Sequence, residues 1–448
     1  MRVPIGFSTP PDQPSPQTLP TSPTSPIKLS IPELLRRYPI NLTKYEQFRA
    51  YLHAHPELST QEKNTAAFVV VHLSLLGGYE IHERIGGHGV AAVLKNGDGR
   101  TVLLRAEMDA LPVKETTGLP YASTVEMMDT DGLVKPVMHA CGHDIHITSL
   151  LATGERLASM REHWAGTVIL LFQPNEERSG GAQQMVDDRL YERIPIPDVL
   201  LAQHVSPKRA GWLGMNSGVQ LSASETLKIT LHGRGGHASS PVATIDPIVM
   251  MASCILRLQT IVSRELDVAH EFAVVTIGQA SAGNAPNIIP DTATFHVNVR
   301  TVDEIIRARV MASIKRIVTA ESDASNAAQA PTIEIISAFP VTYNSPKITY
   351  LLGHVFETVF GGNFKPNEFP QINASDDFSI LARAIARPYC YWMLGGTDPV
   401  LFDSKDEREI PWNHSSSFAP IMQPTIKVAT DAMTAAALTF VVREVASI

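Results

Sequence analysis

Thr167-Val-Ile-Leu-Leu-Phe-Gln-Pro-Asn-Glu-Glu177 is the stretch on which the reading of the fold turns. Its first six residues, Thr167–Phe172, form a short apolar run without polar alternation. A half-exposed strand would alternate, and a helix would run longer. The run therefore reads as a strand buried on both faces, as in a parallel sheet covered by helices. It leads into Gln173-Pro-Asn-Glu-Glu177, so two carboxylates follow its carboxyl end. In an open α/β sheet that end is where ligands bind.

The same pattern recurs on either side. Thr101–Leu104 reads as a strand and leads into Arg105-Ala-Glu-Met-Asp109; Val199–Ala202 leads into Gln203-His204. Val90–Leu94 is a further strand. Tyr45–His53, Gln61–Leu76 and Ile145–Met160 carry helical patterns, the second with Ser59 or Thr60 as its N-cap and Gly77-Gly78 as its stop. Alternating helices and strands predict an α/β fold whose mostly parallel sheet is covered on both faces. Near Leu221 the pattern changes. A strand at Thr226–Leu231, a helix at Pro247–Val262, strands at Ala273–Gln279 and Thr292–Val299, a helix from Thr301 to about Ala320 and a strand at Thr332–Ile336 follow in turn. That β-α-β-β-α-β order is the ferredoxin-like unit. The expected organisation is a proline-rich disordered tail over residues 1–30, a catalytic domain over 31–221 and 338–448, and an inserted α+β domain over 222–337. A long helix starting near Pro424 closes the chain.

Composition narrows the class. A formal charge of −8 over 448 residues argues against a nucleic-acid partner. No segment is long and apolar enough to span a bilayer, and the N-terminus lacks the apolar core of a signal peptide. Three scattered cysteines, Cys141, Cys254 and Cys390, make no disulfide framework and favour a reducing compartment. The expectation is a cytoplasmic enzyme acting on a small molecule.

The chemistry gathers at the strand ends. Cys141 and His143 are two strong metal-ligand types one residue apart, just before a helix whose N-terminal dipole lowers a thiol pKa. Gly142 frees the backbone between them. Alone, Cys-Gly-His equally describes a buried thiol and a capping imidazole, and Glu-Glu a solvated loop. With Glu176, Glu177 and His204 all at strand ends, a metal centre is the better account. One glutamate of the pair, on an extended loop, binds metal and the other moves a proton. His139 and His146 are expected to support ligands or cap the helix, and Asp109 to orient a ligand. A Cys–His nucleophile built on Cys141 would need neither the glutamate pair nor the further histidines.

Six segments together resemble the zinc- and manganese-dependent amidohydrolases of the aminoacylase and carboxypeptidase G family, nearest the hippurate hydrolases and indole-acetyl-amino-acid hydrolases. They are Arg105-Ala-Glu-Met-Asp-Ala-Leu-Pro112, Met138-His-Ala-Cys-Gly-His-Asp144, Leu171-Phe-Gln-Pro-Asn-Glu-Glu177, Gly233-Arg-Gly-Gly-His-Ala238, Asn287-Ile-Ile-Pro-Asp291 and Asp376-Asp-Phe-Ser379. The resemblance implies two divalent ions, zinc or manganese, with cobalt or nickel as alternatives. It implies that Cys141 bridges them, that His143 and His204 complete one, and that Glu177 and His414 complete the other. Glu176 is then the general base in hydrolysis of an N-acyl amino acid or similar small amide. The inserted domain becomes a lid and a homodimer surface, His237 contacts the reacting carbonyl of its own chain or across that dimer, and Asn287 and Arg300 hold the substrate carboxylate. His414 rests on the resemblance alone. Glu107 stands where the family usually has Asp, Asn175 replaces a common Ala, and the segment from Thr397 to Trp412 is longer than usual. A dipeptidase or carboxypeptidase, a dedicated biosynthetic amidase and a non-catalytic homologue are the rival readings.

Overall fold

The computed structural model describes residues 29–367 and 374–442. The tail expected over residues 1–30 lies, except for residues 29 and 30, outside the described residues. Eight strands form the large sheet, in the order Glu80–Ile85, Gly89–Asn96, Gly166–Gln173, Thr101–Glu107, Val199–Arg209, Tyr389–Thr397, Leu213–Met215 and Phe364–Pro366. The four from Gly166–Gln173 to Tyr389–Thr397 are mutually parallel; Gly89–Asn96 and Leu213–Met215 join their two edges antiparallel, Glu80–Ile85 is antiparallel to the first of these and Phe364–Pro366 parallel to the second.

Period-two alternation sends neighbouring residues of each central strand into two different cores. Val168, Leu170 and Phe172 join Val102, Leu104 and Leu201 beneath helices His143–Ser159 and Thr425–Val441. Ile169 and Leu171 join Leu103 and Leu200 on the other face, against helices Gly181–Asp187 and Phe378–Arg383. Both faces are dry, which is why the run at residue 167 shows no polar alternation.

A second, smaller unit has its own core. Its antiparallel sheet runs Ala273–Ala282, Thr292–Thr301, Ala223–His232, Thr332–Phe339. Helices Pro247–Thr260 and Glu304–Ala324 cover one face, where Leu227, Ile229, Leu231, Phe295 and Val297 are buried with Cys254 and Val310. This is the ferredoxin-like order in an α/β chain. Among the described residues no helix is long and apolar enough to cross a membrane.

Several element ends move, each for a visible reason. The helix expected from Gln61 begins at Lys63. Ser59 does not cap it, because its hydroxyl donates to Asp109 Oδ2 at 2.7 Å. The helix expected near Thr301 starts at Glu304, where Asp303 accepts from the amides of Ile305 and Ile306. Strand Val199–Arg209 runs past His204, so that histidine is within the strand rather than after it. Strand Thr101–Glu107 likewise carries Arg105 and Glu107 into the sheet.

The helix that follows Cys141 begins at His143, two residues before the Ile145 that its apolar pattern indicates. Gly142 precedes it with a φ of 82°. A Cβ at that position would approach Val205 Cγ1 to 2.3 Å. Only glycine meets both demands. Gly142→Ala is expected to cost about 1–3 kcal/mol of stability in urea unfolding; an unchanged midpoint would show that the strand at Val205 yields freely.

Candidate metal centre

Cys141, at the turn before its helix, is the hub of the site. His204 Nε2 stands 3.4 Å from its Sγ and His414 Nε2 3.3 Å. His414 Nε2 is also 3.3 Å from Glu177 Oε2, and His143 Nε2 is 3.9 Å from Glu177 Oε1. The middle of strand Val199–Arg209 delivers His204, the turn after strand Gly166–Gln173 delivers Glu177, the helix start delivers Cys141 and His143, and a distant loop delivers His414. That loop is pinned by Asn413, whose amide donates to the carbonyls of Cys141 and Val205 at 3.2 and 3.1 Å. His414 takes a φ of 71°, sparsely populated for any residue but glycine, and its amide donates to the Ala140 carbonyl.

The tautomers follow from the partners. His143 Nδ1 lies 2.8 Å from the Asp109 carbonyl and His204 Nδ1 2.7 Å from that of Val205. A carbonyl only accepts, so both Nδ1 atoms carry hydrogen and both Nε2 lone pairs point inward. His143 Nε2 and Glu177 Oε1 are buried and have no hydrogen-bond partner among the described residues. Inward lone pairs, a thiol and an orphaned carboxylate oxygen are the donor set of a metal site, and they fit divalent cations.

The electrostatics agree. Burial, then the Glu177 and Glu176 carboxylates, push the Cys141 thiol well above its usual range. The lowering expected from the helix N-terminus is therefore outweighed, and a cation beside the sulfur would favour the thiolate. Burial, then Asp376 and Glu177, raises Glu176 as well. Burial opposes a charge on His143, yet the bond to Asp109 and the Glu107 and Glu177 carboxylates lift it to about 10. The field that favours a proton there favours a metal ion.

The glutamate pair sits in a tight turn rather than an extended loop. Asn175 takes a φ of 53°, which asparagine tolerates. The Glu177 amide donates to Asp109 Oδ2 at 3.0 Å. Asp109 thus holds Ser59, the His143 ring and the glutamate turn together.

A family model for peptidase family M20/M25/M40 matches residues 103–409. The chain belongs to this family. It is 38% identical over 355 residues to a hippurate hydrolase of Campylobacter jejuni, across 78% of this chain and 87% of that protein. A putative aminohydrolase from methicillin-resistant Staphylococcus aureus superposes with a TM-score of 0.75 at 29% identity, covering 90% of this chain and 97% of that one. A dinuclear metal-binding peptidase of the M20 family from Bacillus subtilis superposes at 0.69 with 25% identity, covering 89% and 98%. This M20 chain is a metal-dependent amide hydrolase.

Cys141, Glu176, Glu177, His204 and His414 line a cleft of about 660 Å³ between the two units. Arg300 reaches it from the smaller unit, with its Nη1 3.5 Å from Ser375 Oγ. His237 and Asn287 do not line it. They lie at one end of a two-stranded ribbon, Gly236–His237 with Ile288–Ile289, in which His237 pairs with Ile288, the Ala238 amide donates to the Asn287 carbonyl, and His237 and Asn287 are exposed.

Two buried networks escaped the sequence reading. Arg105 donates to Gln173, Asp376 and Asp377 and pairs with Glu107, although Arg105 and Asp376-Asp377 lie in quoted motifs. On the other side, the Asp144 carboxylate takes Arg49 Nε and His53 Nδ1, each at 2.9 Å. His53 Nε2 lies 3.0 Å from Glu115. Arg49 and His53 stand four apart on helix Leu42–Ala54 and give a sequence no sign of their partners.

His53 yields a pH prediction. Burial opposes its charge, but Asp144 and Glu115 raise it to about 9 from an ordinary 6.5. A raised folded value stabilises fully below the unfolded pKa of about 6.5, and the gain is lost as pH rises through about 9. Wild type should therefore exceed His53→Gln in unfolding free energy by a constant margin at pH 5–6, and by a shrinking one from pH 7 to pH 9. A margin independent of pH would show that His53 is neutral.

Proposed function

We propose that this chain hydrolyses N-acyl amino acids, or small amides of similar shape, at a centre of two divalent cations. One observation carries the reading. Five ligand-type side chains from four stretches, Cys141, His143, Glu177, His204 and His414, meet in one cluster, with buried Glu176 beside it in the same cleft. In this reading Cys141 would serve both ions, His143 and His204 would hold one, and Glu177 and His414 would hold the other. Thiolate and imidazole suit zinc, while the carboxylate share also admits manganese, cobalt or nickel. When bound, such ions polarise a carbonyl oxygen and acidify water.

Glu176 takes a proton from the attacking water and hands it to the departing nitrogen. Leu221, Phe339, Met393 and Trp412 offer an apolar wall for the acyl group, and Arg300 meets the carboxylate. His237 donates to the reacting carbonyl oxygen and Asn287 helps hold the substrate. Their distance from their own chain's cleft favours a homodimer in which each lid serves the partner's site. Three buried free cysteines accord with a cytoplasmic enzyme.

Glu176→Gln should bind zinc as wild type does, while kcat on N-acetyl and N-benzoyl amino acids falls by about 10²–10⁴-fold. A variant that turns over at near-normal rate would falsify the general-base assignment. The dimer is tested by mixing. His237→Ala and Glu176→Gln, each inactive alone, should recover about a quarter of wild-type activity when co-refolded in equal amounts, because half the dimers then hold one complete site. No recovery, or a fully active His237→Ala, removes the shared site.

A further inference from the structure

Beside the proposed ligands lies a buried histidine that the reaction does not use. His146 follows His143 by one helical turn, and with Glu107, His143 and His204 it forms a cluster whose ligand atoms lie within 4.8 Å of one another. Both of its ring nitrogens are already engaged. Nε2 is 2.9 Å from the Val205 amide. An amide N–H only donates, so Nε2 accepts, and Nδ1 carries the hydrogen that it donates to Glu107 Oε2 at 2.8 Å. The other Glu107 oxygen meets Arg105. The ring is thus locked in one tautomer by partners at both ends.

Val205, which donates to Nε2, is the residue that also holds His204. His204 Nδ1 donates to the Val205 carbonyl, and that carbonyl takes the Asn413 amide as well. His146 fixes the N–H of this residue, and His204 and Asn413 use its C=O. The rings of His146 and His204 also meet edge to face, with centroids 4.5 Å apart and planes at 72°. A shift at Val205 would turn the His204 ring away from Cys141 Sγ.

We infer that His146 is a positioning residue: the buried chain Arg105–Glu107–His146–Val205 sets the His204 ring so that its Nε2 faces Cys141, and thereby tunes one of the two cation sites. The inference rests on the reading of His204 as a ligand. It assigns Glu107 a role apart from ligation, because both of its oxygens are taken.

The test is zinc binding, measured by competition with a chromophoric chelator and by metal analysis after dialysis, on wild type and on His204→Ala, His146→Ala and His146→Gln. His204→Ala should weaken one zinc equivalent of two. His146→Ala should weaken the same equivalent by about 10–100-fold and leave the other unchanged. His146→Gln should restore most of it, because its amide oxygen accepts from Val205 while its NH₂ donates to Glu107. Cobalt(II) gives a second readout: the visible bands should shift in His146→Ala and return in His146→Gln. If His146→Ala does not fold, Glu107→Gln carries the test, with the same selective loss expected. Wild-type affinity in a folded His146→Ala or Glu107→Gln overturns the proposal. So does an equal loss at both equivalents, or a loss that glutamine does not recover; these would mean packing alone. If His204→Ala itself keeps both equivalents, the ligand reading fails with it. If only the His146 variants keep both, the positioning role fails alone.

Discussion

Buried negative charge is the constraint around which this molecule is arranged. Glu107, Asp109, Glu176, Asp376 and Asp377 are all buried near the carboxyl ends of parallel strands, with the Cys141 thiol among them. In a dry interior such groups need hydrogen bonds and opposite charge, or they stay protonated. Arg105 answers one side of the cluster, meeting Glu107, Asp376 and Asp377 at once. Even so, burial keeps Asp377 raised to about 7. On the other side, around Cys141, Glu176 and Glu177, no arginine or lysine enters among the described residues that line the cleft apart from Arg300, and His143 and His204 turn their Nε2 atoms inward. Divalent cations are the counterpart that this half of the cluster is built for.

The sheet makes the cluster possible because its central strands end together. Register pairs Glu107 with Gln173 and His204 with Met393 on neighbouring strands. Side chains distant in sequence therefore arrive at one edge with fixed spacing. The helix from His143 then places Cys141 and His143 over that edge, and its approach is close enough that Gly142 and Val205 tolerate no methyl group between them. The smaller unit closes the cleft from above through Arg300, whereas its His237–Asn287 ribbon faces elsewhere. A site divided in this way ties turnover to the relative placement of two units and, in the reading proposed, of two chains.

Supports behind the donors matter as much as the donors. Asp109 joins Ser59, His143 and the Glu177 amide; Asp144 joins Arg49 and His53; Glu107 joins Arg105 and His146. Each support draws on residues from at least two elements. Breaking a buried pair of this kind by deleting one member typically costs about 3–5 kcal/mol, so these groups secure the fold and aim the site together.

Local pattern was enough for the architecture. Apolar runs such as Thr167–Phe172 announce strands covered on both faces, and the period change near Leu221 announces a second unit, because burial on two faces or one leaves its mark in neighbouring residues. Cys141, His143, Glu176, Glu177 and His204 were legible as candidates, since each is a ligand-type residue beside a strand end or helix start. His414 was legible only by resemblance, because an Asn-His-Ser loop carries no pattern. Arg49, His53 and the role of Asn413 were not legible at all, and His146 was legible as a support without any sign of what it supports. Their meaning lies in partners tens to hundreds of residues away, and a hydrogen bond across such distances leaves no periodic trace. Sequence by itself therefore determined which elements form and which chemistry they carry; only the packed structure decided which lone pairs face inward, since tautomer and aim depend on neighbours that the chain brings together last.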